Sequence, residues 1–182
     1  TLAGALDREA EKVGVQPRRT PVEERLLGQL RVWRAKLFAQ VHLYRPELPL
    51  LQVDETIQRL FNRLIFIRTC EDRLLEDTVL TPLLRAHANR DSSRNIMQNL
   101  QREFRKFDGV YDSELFAPHI IDEIHIDDEA LEEILSGLYR VPGGLAEYDF
   151  AAIDADILGR VYEQYLGHTA QVATRRHREL QL

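Results

Sequence analysis

The sequence predicts an all-α fold: an irregular bundle of about six helices with ordered loops and little or no sheet. Three observations carry that prediction. Apolar residues recur at spacings of three and four along most of the chain. No stretch sustains apolar/polar alternation between turn signals, as half-buried strands would. Capping residues, Pro and Gly fall mainly between the periodic stretches, where helices start and stop.

Composition sets the outer bounds. With 182 residues, 44% hydrophobic and 30% charged, the chain suits one domain with tails and is too apolar for a disordered segment. The longest apolar run, Leu64 to Ile67, is too short for a membrane span or a signal-peptide core, so no membrane partner is expected. The single cysteine, Cys70, excludes a disulfide framework and a Cys-based zinc site, and fits a reducing, cytoplasmic setting. A first residue of Thr1 rather than Met predicts a piece of something longer.

The elements follow in order. Residues 1–19 read as a linker or tail, with a weak apolar stripe ending in a polar, basic stretch from Pro17 to Arg19. Thr20-Pro21-Val22-Glu23 is a helix start: Thr20 as N-cap, Pro21 in the first turn and Glu23 closing a capping box. Leu26, Leu30, Trp33, Leu37, Val41 and Tyr44 then form one stripe, and Pro46 and Pro49 end it. Asp54 is expected to cap a second helix running to about Glu76. Its stripe of Ile57, Leu60, Phe61, Leu64 and Ile67 is widened by Ile65 and Phe66 until it is apolar nearly all round, which marks a central helix.

A third helix is expected over about Thr78 to Ala88. A fourth should begin near Ser92 or Ser93, bury Ile96, Leu100, Phe104 and Phe107, and stop at Gly109. Residues 110–126 have no helical period, and Tyr111, Leu115, Phe116, Ile120, Ile121 and Ile124 read as anchors of an ordered loop. Asp127 or Asp128 starts a fifth helix, with Leu131, Ile134, Leu135 and Leu138 inward and Glu129, Glu132 and Glu133 favourably placed near its positive end. Val141-Pro142-Gly143-Gly144 breaks it. A sixth is expected from about Asp154 to Leu166, and residues 169–182 are a basic tail.

Charge is distributed unevenly. Residues 111–168 hold two Lys/Arg against fourteen Asp/Glu, while the whole chain is at -6. That acidic segment would repel a phosphate backbone, so any DNA contact must use another face.

Catalytic signatures are absent from the pattern. The six histidines form no H-x-x-x-H or H-E-x-x-H pair. The acidic run Asp127, Asp128, Glu129, Glu132, Glu133 reads as the start of a helix and a solvated face rather than a cation site. Gly143-Gly144 lacks the Lys-Ser/Thr of a phosphate cradle, no nucleophile elbow occurs, and Cys70 reads as packed. No catalytic, cofactor-binding or metal-ligating residue is therefore expected. The most provocative group is Arg68, Glu71, Asp72 and Arg73, where Arg68 and Asp72 share a helical face. It is either an ion-pair network at a buried helix end, the weightier reading, or a contact to DNA or to a partner domain. Arg175, Arg176 and Arg178 in the tail are further candidates for such a contact.

A resemblance goes further. Gln58-Arg59-Leu60-Phe61-Asn62-Arg63-Leu64-Ile65-Phe66-Ile67-Arg68-Thr69-Cys70-Glu71-Asp72-Arg73 resembles a helix of fused, Type IIG restriction-modification polypeptides that lies between nuclease and adenine methyltransferase. Tyr111-Asp112-Ser113-Glu114-Leu115-Phe116 resembles that family's Y-x-S-x-L-F turn, and Ile126-Asp127-Asp128-Glu129-Ala130-Leu131 its I-D-D-E-x-L helix start. Tyr148-Asp149-Phe150 with Ile153, then Ile157-Leu158-Gly159 through Gly167, resembles its next block. The matches keep their order over residues 20–168.

The resemblance implies a non-catalytic helical connector domain over 20–168, with the 169–182 tail leading towards a methyltransferase domain. It implies a parent that is a site-specific DNA (adenine-N6) methyltransferase and endonuclease. The partners implied are the adjacent nuclease and methyltransferase domains, and DNA through the parent. S-adenosylmethionine and a divalent metal are implied for the parent and none for this segment. The chain lacks the nuclease's D…E-x-K set, since Glu9-Ala10-Glu11-Lys12 and Glu103-Phe104-Arg105-Lys106 have the wrong spacing, and it lacks the N-P-P-Y tetrad. Two other classes fit the residues: a stand-alone adaptor binding a protein through the acidic 111–168 surface, and a helical DNA-binding module using Arg18, Arg19, Arg31, Arg34 and the terminal arginines.

Overall fold

The computed structural model describes residues 21–141, 143 and 146–153. Within them the chain forms five α-helices and one 3-10 turn: α1 (Pro21–Tyr44), α2 (Leu50–Asp72), α3 (Leu80–Ala88), α4 (Ile96–Tyr111), the turn Ile120–Glu123, and α5 (Asp128–Gly137). The all-α expectation holds. The only pairing of extended backbone among these residues is one antiparallel bridge, Arg140 with Glu147. The expected sixth helix, the N-cap at Thr20, the 1–19 linker and the basic tail lie outside the described residues.

Helix α2 is the axis. Ile57, Leu60, Phe61, Leu64 and Ile67 are all buried, and Ile65 nearly so, while Phe66 packs edge-on against Phe107, Tyr111 and Phe116. Helix α1 lies antiparallel to it and buries Leu26, Leu30, Trp33, Leu37 and Val41. Tyr44, the last residue of the expected stripe, is instead 43% exposed and donates its hydroxyl to Asp127 Oδ1 at 3.0 Å. Helices α3, α4 and α5 pack on one another over the rest of the core. No helix among the described residues is long and apolar enough to cross a membrane.

Several boundaries differ from expectation. Helix α2 begins at Leu50, not at Asp54, because Pro49 (φ -57°, ψ 140°) starts it directly. Asp54 therefore does not cap: it sits in the second turn and is fully buried. The helix ends at Asp72 rather than near Glu76, as the chain turns out through Leu74 in the left-handed region at φ 57°. Helix α4 starts at Ile96, not at Ser92 or Ser93. Asn95 accepts from the Gln98 N–H at 2.8 Å and the Gln98 side chain accepts from the Asn95 N–H at 3.1 Å, a complete capping box. It runs through Gly109 to Tyr111 because Phe107 and Tyr111 are still packed, and left-handed Asp112 (φ 42°) stops it.

The loop between α4 and α5 is ordered, as its apolar anchors predict. Phe116, Ile121, Ile124 and Ile126 are buried. A polar clamp from α2 and α4, which apolar periodicity does not reveal, adds to them.

Candidate functional site

The Arg68 cluster is assembled by four segments. From the last turns of α2, Arg68 Nη1 donates to Glu71 Oε2 and Asp72 Oδ1, and Nη2 donates to Asp72 Oδ2, each at 2.8 Å. Nε donates to the Leu138 carbonyl past the end of α5, and Nη2 to the Tyr148 carbonyl, both at 3.3 Å. The guanidinium also lies 4.0 Å from the centre of the Tyr139 ring and 5.1 Å from that of Phe150. Burial alone would lower its pKa, but the hydrogen bonds of Asp72 and Glu71 outweigh that and raise it. It is a fixed charge at every relevant pH.

The two carboxylates extend the cluster. Glu71 Oε1 accepts the Val79 and Leu80 N–H groups at 2.7 and 3.1 Å, covering the exposed donors where α3 begins. Its Oε2 also accepts the Tyr139 hydroxyl at 2.8 Å. Burial, with Glu71 next to it, pushes the Tyr139 phenol up. Asp72 Oδ2 accepts the Phe150 N–H at 2.8 Å. One guanidinium and two carboxylates thus join the end of α2, the start of α3, the end of α5 and the 146–153 strap. Arg73 is not part of this: it caps α2 through its backbone N–H, and its side chain is exposed. Arg175, Arg176 and Arg178 lie outside the described residues.

Two further buried arginines complete the picture. Arg63, fully buried, donates Nε to the Leu115 carbonyl (2.8 Å), Nη1 to Asp122 Oδ1 (2.6 Å) and Nη2 to the Ala117 carbonyl (2.8 Å), and lies 4.8 Å from the centre of the Phe104 ring. Burial pulls its pKa down, and the Asp122 carboxylate opposes that. Around the same loop, Arg59 donates to the Glu114 carbonyl at 2.6 Å and Arg105 to the Phe116 carbonyl at 2.5 Å. On the other side of α2, Arg34 donates to Gln58 Oε1 and stands 3.8 Å from Asp54 Oδ1. Asp54 is wholly buried, and neither carboxylate oxygen accepts a hydrogen bond. Burial raises its pKa from 3.8 to about 6, against the pull of Arg34.

These placements settle which arginines are accessible. Arg34, a candidate for a DNA-binding module, is 1% exposed and faces the α1–α2 contact, so it reaches no phosphate. Arg63 and Arg34 were missed as structural groups, although a signal existed. Each is an arginine set among residues that a helical wheel places in the core (Leu60 and Leu64; Leu30 and Leu37), and a charge on such a face must be paired inside.

The acidic start of α5 is likewise engaged with its neighbours. Asp127 Oδ1 contacts the Tyr44 hydroxyl and His125 Nε2, and Asp128 Oδ1 accepts the Ile96 N–H at 2.9 Å. No group of three His, Cys, Asp or Glu among the described residues is arranged to hold a metal ion. Cys70 is 3% exposed, with its pKa raised by burial, as expected of a packed thiol.

With this geometry in hand, known proteins supply context. Over 170 residues, 93% of this chain, the sequence is 28% identical to the Type II restriction enzyme and methyltransferase RM.Eco57I of Escherichia coli. The match relates the chain to restriction-modification enzymes. It spans only 16% of that relative's length. No family model matches the chain. No solved structure does either.

Proposed function

We propose that this chain is a non-catalytic helical connector within a DNA restriction-modification polypeptide, holding a nuclease and an adenine-N6 methyltransferase in fixed relative orientation. The observation that carries it is the Arg68 cluster. The strap at 146–153, through which the chain continues, is bonded to the end of the central helix by the Asp72–Phe150 and Arg68–Tyr148 contacts. As far as Ile153, the chain's path is therefore set by α2 and not by a free hinge. The same end exposes Leu74 and Leu75, apolar surface of the kind an adjoining domain covers. The order of the resembling motifs and the match over nearly the whole chain support the same reading.

Under it, S-adenosylmethionine and a divalent metal belong to the methyltransferase and nuclease domains, and DNA is met through the parent. This chain's own part is mechanical: a packed core with two discrete ends transmits position. The test is made in a full parent enzyme, with a helical turn inserted in the connector or Arg68→Ala introduced. The cut should move along the DNA, or scatter over several positions, while methylation of the recognition site persists. An unchanged, single cut position in both variants would refute the connector role.

A further inference from the structure

We infer that the hairpin of α3 and α4 is a docking face for the phosphate backbone of duplex DNA, with Arg90, Arg94 and Arg102 as its main contacts. This rests on the reading of the chain as part of a DNA-acting polypeptide, and names the surface and the chemistry by which it would touch DNA.

The first support is charge. Between Arg85 and Lys106 the chain holds six Lys/Arg against Asp91 and Glu103, a balance of +4 in a chain at -6. The second is availability. The guanidinium groups of Arg34, Arg59, Arg63, Arg68 and Arg105 are committed to carboxylates or main-chain carbonyls. The exposed side chains of Arg85, Arg90, Arg94 and Arg102, in contrast, engage no described residue. An arginine fork without a partner is what a phosphate takes.

Geometry is the third support. Arg90 and Arg94 flank the turn between the two helices, Arg90 in the left-handed region at φ 59°. Arg102 lies two turns into α4, on the wall of a groove of about 340 Å³ whose lining is apolar at Val79, Pro82, Leu83 and Ala86 and polar at Thr78, Ser92, Asn99 and Lys106. From Arg94 to Arg102 the rise is roughly 12 Å, about three to four phosphate steps along the axis of one strand. Within the groove Lys106 is paired with Glu103 at 2.7 Å, and Arg102 is the cation there with no carboxylate partner among the described residues.

An acidic protein is the competing partner, and the surface argues against it. Protein interfaces are centred on large apolar anchors. The large apolar side chains that the described residues expose lie at 22–51, at 74–75 and at 110, and none falls between Glu76 and Gly109. Apart from the small apolar lining of the groove at Val79, Pro82, Leu83 and Ala86, the hairpin presents polar and cationic side chains, the character of a contact to nucleic-acid backbone.

The experiment uses the 182-residue chain and a fluorescent duplex of arbitrary sequence, titrated across a range of salt. The chain should bind at low ionic strength without sequence preference. The triple variant R90Q/R94Q/R102Q should lose about tenfold or more in affinity, and the slope of log K against log salt should fall by about 2 to 3. Arg25→Gln with Lys36→Gln, both on α1 and away from the hairpin, should leave both within about twofold. No binding at low salt, or wild-type affinity in the triple variant, overturns the inference. So does polyglutamate displacing the duplex at equal charge concentration, which would mark an acidic protein as the partner. Far-UV circular dichroism confirms that the variants fold. A negative result here leaves the connector reading untouched, because that is decided by the cut position in the parent enzyme.

Discussion

Gly137 shows how much one hydrogen in place of a methyl can decide. A Cβ built there would collide with Trp33 Cζ2 and lie 2.8 Å from Cη2, because the indole of α1 packs directly against the end of α5. The glycine is required for close approach and not for backbone freedom. Gly137→Ala should destabilise the chain by about 1 to 3 kcal/mol in urea denaturation, through displacement of a packed ring. Gly109 is the opposite case: it is exposed, inside α4, with nothing within 4 Å of a Cβ. Gly109→Ala should stabilise by about 0.5 to 1 kcal/mol. Equal effects of the two substitutions would contradict this account.

Asp54 gives the residue scale its pH dependence. Its folded pKa of about 6 exceeds the ordinary 3.8, so between these values the folded state binds more protons than the unfolded one. Stability must then fall as pH rises through that window. Below pH 4 the group contributes no penalty, and above pH 7 the full penalty of about 3 kcal/mol applies. Asp54→Asn should flatten the stability profile between pH 4 and 7, whatever it does to absolute stability. A wild-type profile with no decline in that window, once other groups are subtracted through the variant, would show Asp54 to be solvated.

At the scale of elements, α2 organises its neighbours through arginines as much as through apolar contact. Arg63 supplies three of the bonds that hold the loop at 112–126, two of them to main-chain carbonyls. Arg63→Ala would leave those half-buried carbonyls short of a donor and take from half-buried Asp122 its closest counter-ion, though not its bond from the His119 N–H, and should cost about 2 to 3 kcal/mol. Hydrogen exchange should speed up first at residues 113–124, with α1 and α2 still protected. Uniform acceleration would mean the loop has no separate stability.

Legibility from sequence divides along the same line. Helix class, the stripes of α1, α2, α4 and α5, and the anchoring of the loop follow from apolar periodicity, which records burial directly. The start of α4 was missed because Ser92, Ser93 and Asn95 all suit an N-cap, and only Gln98 three residues after Asn95 decides among them. Asp54 was misplaced for the related reason that a residue type favoured at caps is not thereby at one. The Arg68–Asp72 pair was readable from its spacing. Its bonds to Leu138, Tyr148 and Phe150 were not, since contacts across 70 to 80 residues leave no local pattern.

For the whole molecule, the decisive property is that the described helices share one core. Trp33 is the chain's one tryptophan and is buried where α1 meets α5, so its fluorescence reports the contact between the first and the fifth of the described helices. Far-UV circular dichroism reports the five described helices together. If the Arg34, Arg63 and Arg68 clusters bind the helices into one cooperative unit, both signals must change at the same urea concentration with the same slope. Arg68→Ala should separate them. Loss of that hub frees the 138–150 region and the start of α3 while the antiparallel α1–α2 pair keeps its apolar seam. Helical signal at 222 nm would then begin to fall before Trp33 leaves its site on Gly137, or the indole would be released while α1 and α2 remain folded. Coincident transitions in the variant would show that apolar packing alone couples the ends of the molecule, and would remove the physical basis for transmitting orientation from the strap to α2.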